Sequence, residues 1–466
     1  VPRNLTDHDL LIVSDLHLSE GRDPVPKEFS RKEDFFFDEE FARFLAYHKR
    51  GTPEHPPDRK WHLIINGDFL DFLQVTSVRG APPDLIRDDK NKKYGLDCGA
   101  QESVFKLGVV MNGHWKFFEA LAEFIAEGHV VSVTKGNHDP EFFFPEVQAA
   151  FAPKLRQIYA DKLNRDNDPD AAAKLARFDA ACADNAIQFL AWFYYEEKLL
   201  WVEHGNQYDK LNSFEYWLEP LLPTRPERKP GRNNEIDLPW GGLFVRYLFN
   251  RVEDQAPAVD NIKPLSRSLT WFLRQHPFLA LRFFFTDGSY MLKKMARAWR
   301  RLPSGAYDTR KHQHEVRLAK LAGDFRIPPA TLADLDGQHS PSVLRHPAGI
   351  VWKLIRLSVR WHLLQPLMAV LLLTVAICIL DWFVPLLLGC LPGWAVDPLL
   401  DIWTGLSAPQ IARKAAEVSH WLILILLVVI FSALLRRLAW GKPESDVDYL
   451  PEQARRIHET LGVRYV

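Results

Sequence analysis

Asp15 with His17, Asp68, Asn137 with His138 and Asp139, and His204 share one arrangement: each follows a short apolar run that reads as a buried strand. The runs are Leu11-Ile-Val, Leu63-Ile-Ile, Val131-Ser-Val and Leu200-Trp-Val. Ligands gather beyond the carboxyl ends of strands in α/β sheets, so four such ends in series place a set of donors on one rim. The donors are carboxylates, imidazoles and one amide, with no thiolate, which suits Mn, Fe, Zn or Mg rather than a structural cysteine-zinc site. Asp15 and His17 alternate along a strand end, so both face one ion if the chain bends there. Asp68 is the candidate to bridge two ions, because a carboxylate has two oxygens. Asn137 supplies an oxygen without adding negative charge that would repel a phosphate. Gly67 and Gly136 remove bulk beside the donors and permit backbone angles that other residues resist. Two divalent ions about 3.5–4 Å apart polarise phosphoryl oxygens and generate a nucleophilic water near neutral pH. The chemistry expected is metal-dependent hydrolysis.

The strings Asp15-Leu-His17, Gly67-Asp68-Phe-Leu-Asp71, Gly136-Asn137-His138-Asp139 and His204-Gly205 resemble the successive motifs of the calcineurin-like metallophosphoesterase superfamily. The resemblance covers roughly the first 215 residues. It implies an α/β fold in which a β-sandwich is flanked by helices, with two metals at the strand ends, manganese foremost. Carried over by position, Asp15, His17 and Asp68 hold one ion, and Asp68, Asn137 and His204 hold the other. His138 would contact the scissile phosphate and assist the leaving group, with Asp139 orienting or charging its imidazole. Asp71 is expected behind the ligands, and Asp209 as a residue that shapes the pocket. His114 is expected to be packing or surface, and His312 and His314 to be solvated. Within the superfamily, the opening motif and His204-Gly-x-x-x-Asp209 look most similar to UDP-2,3-diacylglucosamine pyrophosphatases. The chain departs from them after Asn137, where their usual Arg is His138. The superfamily closes its site with Gly-His-x-His, and no such string occurs here. Gly337-Gln-His339-Ser340 is a poor substitute, since no apolar strand precedes it. The run from Pro451 reads as an amphipathic helix ended by Gly462, with a strand starting at Val463. A helix and strand of this kind lead into the missing motif, so the chain is expected to be a fragment cut just before it.

With 466 residues the chain can bury a large core, and a net charge of −1 gives no sign of a nucleic-acid partner. Its cysteines, Cys98, Cys182, Cys378 and Cys390, form no close metal-type pair and fit a reducing compartment. Two stretches carry a membrane signature: Leu367–Leu380 running on to Leu391, and Trp421–Leu435. Tryptophans border them, and Arg356, Arg360, Arg436 and Arg437 flank their outer ends. Asp381 marks the end of the first span. The expected organisation is a catalytic core at 1–220, an aromatic and basic helical segment at a membrane surface at 221–345, a transmembrane hairpin at 346–440, and a return to the core at 441–466. This makes an integral membrane protein with its catalytic domain on the cytoplasmic side, a lipid bilayer as partner, and a lipid-linked phosphate or pyrophosphate as substrate. The alternatives are a membrane-tethered nucleotide phosphodiesterase and a non-catalytic membrane scaffold built on a degenerate phosphoesterase domain.

Overall fold

The computed structural model describes residues 8–23, 28–50, 59–223, 234–252, 307–342 and 450–466, with isolated positions at 275, 286, 287, 290 and 305. The strands β1 (His8–Val13), β2 (Lys60–Asn66), β3 (Val130–Thr134) and β4 (Ile187–Leu190) form a parallel sheet in that order. β2 and β3 read as near-continuous apolar runs because both of their faces are covered, as parallel strands require. The register sets Val13 beside Ile65 and Asn66 beside Thr134, so the carboxyl ends of three strands lie on one rim. Parallel strands need crossovers, and helices supply them. α1 (Asp38–Lys49) joins β1 to β2. α2 (Asp89–Tyr94), α3 (Ala100–Gly113) and α4 (Trp115–Ala126) join β2 to β3, and α5 (Pro145–Arg165) with α6 (Ala171–Ala183) joins β3 to β4.

Strand alternation sends Leu63, Ile65, Val131 and Val133 into a core shared with Leu107, Phe117, Phe118, Leu121 and Phe151 of the crossover helices. Phe41 stacks on Phe117 with ring centroids 3.9 Å apart. Truncating rings buried this deeply costs roughly 3–5 kcal/mol each. The opposite face presents Ile64, Leu10 and Leu190 to Tyr194, Leu200 and Val202. These last belong to an antiparallel pair, β5 (Phe193–Glu196) and β6 (Leu200–Glu203). The outer face of that pair carries Phe193 and Trp201, and Phe193 meets Phe325 at 4.9 Å. Phe325 follows α7 (Asp308–Asp324), and α8 (Pro329–Gly337) comes next. Leu318, Ala322, Leu332 and Leu335 of these helices are buried in the main core, although 308–342 falls within the segment expected at a membrane surface. α9 (Leu450–Leu461) buries Ile457, and the chain beyond Gly462 lies along β6, with Trp201 N donating to Tyr465 O at 3.0 Å.

The chain divides into two compact units, 1–345 with 446–466, and 346–445. The α/β expectation holds for the first. Both expected membrane spans lie outside the described residues, and no helix among the described residues is long and apolar enough to cross a membrane.

His114, at the joint between α3 and α4, takes the packing alternative of its expected role: it is fully buried, and it is ion-paired as well. Its Nδ1 lies 2.8 Å from Asp38 and its Nε2 lies 3.1 Å from Glu33. Glu33 also accepts from Gly21 N at 2.6 Å and Ser19 Oγ at 2.7 Å, so this ion cluster clamps the loop that follows the first motif. Burial works against the His114 imidazolium, but the Asp38 and Glu33 carboxylates outweigh it and raise the group from 6.5 to about 9. A folded pKa above the unfolded one stabilises fully below about pH 6.5 and is lost as pH rises through about 9, a difference of roughly 3 kcal/mol. His114→Gln is therefore expected to be more destabilising at pH 6 than at pH 9.5, by roughly 2–3 kcal/mol. Urea unfolding of both proteins at both pH values measures this, and equal penalties would mean that the imidazole is neutral in the fold.

Candidate metal centre

The chain turns sharply where β1 and β2 end. Asp15, His17 and Asp68 all hold positive φ, at 55°, 51° and 47°. Non-glycine residues avoid that region, and a cluster of them marks a functional constraint. Beyond the turns the first two motifs run side by side. His17 N donates to Asp68 O at 2.9 Å, Leu18 N to Phe69 O at 3.1 Å, and Asp71 N to Leu18 O at 2.8 Å. The third motif joins through His138 N, which donates to Asp68 Oδ1 at 2.8 Å. The fourth is tied in by Asn66. Its amide nitrogen donates to Glu203 O at 3.0 Å, its amide oxygen accepts from Thr134 Oγ1 at 3.0 Å, and its carbonyl faces His204 Nδ1 at 3.1 Å.

These contacts fix Asp68 with one oxygen spoken for and the other presented. Oδ2 lies 3.6 Å from His17 Nε2 and 3.1 Å from His204 Nε2. Asp15 Oδ1 is 4.0 Å from His17 Nε2. Donors that bind one ion at about 2.0–2.2 Å stand no more than about 4.4 Å apart, so the set Asp15, His17 and Asp68 fits an ion. His204 fits as well. With Nδ1 donating to a carbonyl, its Nε2 is the atom free to ligate, as metal-binding histidines are commonly oriented. Asn137 is buried in the same loop and its side chain makes no hydrogen bond to a described residue. The bridging argument changes in one respect. A single oxygen of Asp68, and not one oxygen per ion, faces both imidazoles.

Gly67 and Gly136 are demanded by this crowding. Gly67 has φ 71°, and a Cβ there would stand 2.5 Å from Cγ of His204. A Cβ on Gly136 would collide with Asp68.

Asp139 takes a different place from the one expected. Its carboxylate accepts from Gly136 N at 2.5 Å and Phe69 N at 2.8 Å, so it braces the second and third motifs from behind. The partner of His138 is Asp71, whose Oδ2 lies 2.5 Å from His138 Nδ1 and 3.6 Å from His17 Nδ1. The other oxygen of Asp71 accepts from Leu73 N and Gln74 N, both at 3.0 Å. His17 and His138 themselves meet edge to face at 4.6 Å.

The charges agree with these roles. Burial opposes ionisation of Asp68, but His204, His138 and His17 outweigh it and hold the carboxyl far below its usual range. Asp71 is likewise buried and held low by His138 and His17. Burial, then the Asp68 carboxylate, push Asp139 upward. Burial disfavours the His204 imidazolium, yet Asp68 raises it to about 9, which marks a position where positive charge is favoured.

Other histidines lie elsewhere. His339 is held by Asp336 at 3.3 Å and packs on Trp192 and Tyr208 at 4.8 and 5.3 Å. His314, expected to be solvated, is buried between Leu218 N and Asp336. Asp209 closes its own turn, accepting from Leu211 N at 2.9 Å and Asn212 Nδ2 at 2.7 Å. Two anchors had no signal in the sequence. Glu203 accepts from Trp192 Nε1 at 2.6 Å and Tyr208 OH at 2.8 Å, fixing the strand end that carries His204. Lys135, beside Gly136, is buried with its Nζ donating to Trp217 O at 2.9 Å. Burial, then Arg317, push it down to about 7.

No family model, curated protein or solved structure matches the chain.

The close approach of Gly67 to His204 makes Gly67→Ala a sensitive probe. It is expected to weaken manganese binding by about ten- to hundredfold, the effect typical of disturbing a ligand's support, while the far-ultraviolet circular dichroism stays the same. Calorimetric titration with Mn2+ measures this, and an unchanged affinity would remove His204 from the ligand set.

Proposed function

We propose that this chain is a dinuclear metal-dependent phosphoesterase acting on a phosphodiester or pyrophosphate bond. The observation that carries the reading is the single Asp68 oxygen facing both His17 Nε2 at 3.6 Å and His204 Nε2 at 3.1 Å. One carboxylate oxygen facing two imidazoles is an arrangement that two neighbouring cations would stabilise. The donor set, without thiolate, favours Mn, with Fe, Zn or Mg as other occupants. Asp15, His17 and Asp68 would hold one ion, and Asp68, Asn137 and His204 the second. When bound, such a pair supplies Lewis-acid charge and an activated water.

The rest of the work falls to the chain's own groups. His138 is partly exposed at the rim, and its Nδ1 is engaged by Asp71. Its Nε2 is then the atom that hands a proton to the departing oxygen. Asp71 keeps the ring in that orientation and favours its protonated form. Asp139 does its work through the backbone, keeping Gly136 and Phe69 in place so that Asn137 and Asp68 converge.

The uncharged segments Leu367–Leu380 and Trp421–Leu435 support placing this site at a bilayer and taking a lipid-linked phosphate as substrate. The arginines that flank those segments support an integral membrane location with the catalytic unit on the cytoplasmic side.

The test uses the full chain in detergent with Mn2+, a small chromogenic phosphodiester, and nucleotide pyrophosphates with and without an acyl chain. Turnover that requires the acyl chain supports the lipid substrate, and equal turnover without it favours a tethered nucleotide phosphodiesterase. Two ions bound with no turnover on any substrate would leave the scaffold alternative. Asp68→Ala is expected to lose both ions in calorimetry, and a variant that still binds two would end the bridging assignment. His138→Ala is expected to keep both ions and lose roughly 10²–10⁴ in kcat, the usual weight of a general acid. Undiminished turnover would reject that role.

A further inference from the structure

A second polar cluster lies behind the metal loops, on the helix side of the sheet. Glu141 stands on the short turn Pro140–Phe143, two residues past Asp139, and is fully buried. By hydrogen-bond geometry neither of its carboxylate oxygens has a partner among the described residues, although the Cys98 thiol and the backbone N–H of Glu141 lie close enough to favour its ionised form. Lys106 of α3 is also buried and pulls the Glu141 carboxyl toward ionisation, against the burial that raises it to about 7. The two make no direct ion pair among the described residues. Cys98 borders the same space, with Arg246 Nη1 3.3 Å from its sulfur. Arg246 Nε and Asn250 Oδ1 are two further buried atoms without a partner among the described residues. Both residues belong to the helical stretch Trp240–Val252, Arg246 within its π-helical turn Val245–Phe249 and Asn250 directly after it. Such turns recur at functional sites.

Buried polar atoms left without such partners beside the Lys106 and Arg246 cations are costly unless something small joins them. Water fits, since a buried water makes about three hydrogen bonds and both donates and accepts. We propose that Lys106, Glu141, Cys98, Arg246 and Asn250 enclose an internal hydration site, in which water bridges Lys106 to Glu141 and positions the metal loops. The site touches both loops that hold His138. Glu141 continues the loop of Asp139. Asn250 Nδ2 donates to Leu73 O at 2.7 Å, and Leu73 N in turn donates to Asp71 at 3.0 Å. Glu141 and Lys106 are positioning residues, acting through Asp139, Asp71 and His138. This role rests on the phosphoesterase reading above, whereas the hydration site itself does not.

Two experiments test it. In a high-resolution crystal structure of the full chain, ordered water is expected between Lys106 Nζ and the Glu141 carboxyl. A direct Lys106–Glu141 ion pair with no water would overturn the proposal whether or not the protein is an enzyme. In kinetics with Mn2+, Glu141→Gln is expected to stay within about twofold of wild type, because a neutral amide still bonds the water. Glu141→Leu and Lys106→Met are expected to lose roughly ten- to hundredfold in kcat with KM little changed, as loosened positioning does. Thermal melts identify any variant that fails to fold, and Glu141→Gln then carries the kinetic test through its pH profile, which is expected to match wild type. Wild-type kcat in a folded Glu141→Leu protein, or a Glu141→Gln protein as impaired as Glu141→Leu, would overturn the positioning role. Absence of manganese binding and turnover in the wild type would instead defeat the phosphoesterase reading.

Discussion

Asp68 Oδ2 is shared between His17 Nε2 and His204 Nε2, and most of the structure serves to keep it there. The oxygen can be shared only because Oδ1 is occupied by the backbone of His138. That contact brings the third motif against the second so closely that Gly136 has no room for a side chain. On the other flank Asn66 joins the ends of β2, β3 and β6 with its amide and its carbonyl, and so delivers His204 to the same point. A parallel sheet with level strand ends is the frame that makes this convergence possible.

Such a site is unfavourable in isolation. Asp68, Asp71 and Asp139 are buried carboxylates close together, and Asp15, His17 and Asp68 hold backbone angles that cost of order 1–3 kcal/mol each. Three imidazoles offset part of the charge, and backbone N–H donors offset more. The remainder falls on the aromatic core, in which Phe69 packs against Phe117, Phe118, Phe142 and Phe151 directly beneath the site. Phe69 is the residue after Asp68, so the same short segment carries both the strained carboxylate and the ring that anchors it.

Ion pairs buried away from the candidate metal centre hold the approaches. Glu33, Asp38 and His114 clamp the loop after the first motif. Glu219 takes Arg310 and Arg317, each at 2.9 Å, and so fastens α7 to the segment whose Trp217 carbonyl receives Lys135. Residues from beyond position 300 therefore stabilise the third motif, far from it in the chain.

The sequence alone picked out the candidate donors and their order, because metal chemistry restricts residue type and because a buried strand ending in Asp, His or Asn is visible locally. The α/β class was legible through the same strand-end strings and the family resemblance that they carry. Partnership was decided by the tertiary structure. Asp71 lies three residues after Asp68 and Asp139 directly follows His138, and nothing local says which one reaches that imidazole. The answer depends on the loop after Asp68 folding back beneath the imidazole while Asp139 turns to the backbone of Phe69. His114 and His314 looked like ordinary helix residues, since their carboxylate partners Glu33, Asp38 and Asp336 are remote in sequence. Lys135 and Glu141 were silent for a different reason. Burial of a charged side chain is a property of what the other elements place around it, and no window of sequence records that.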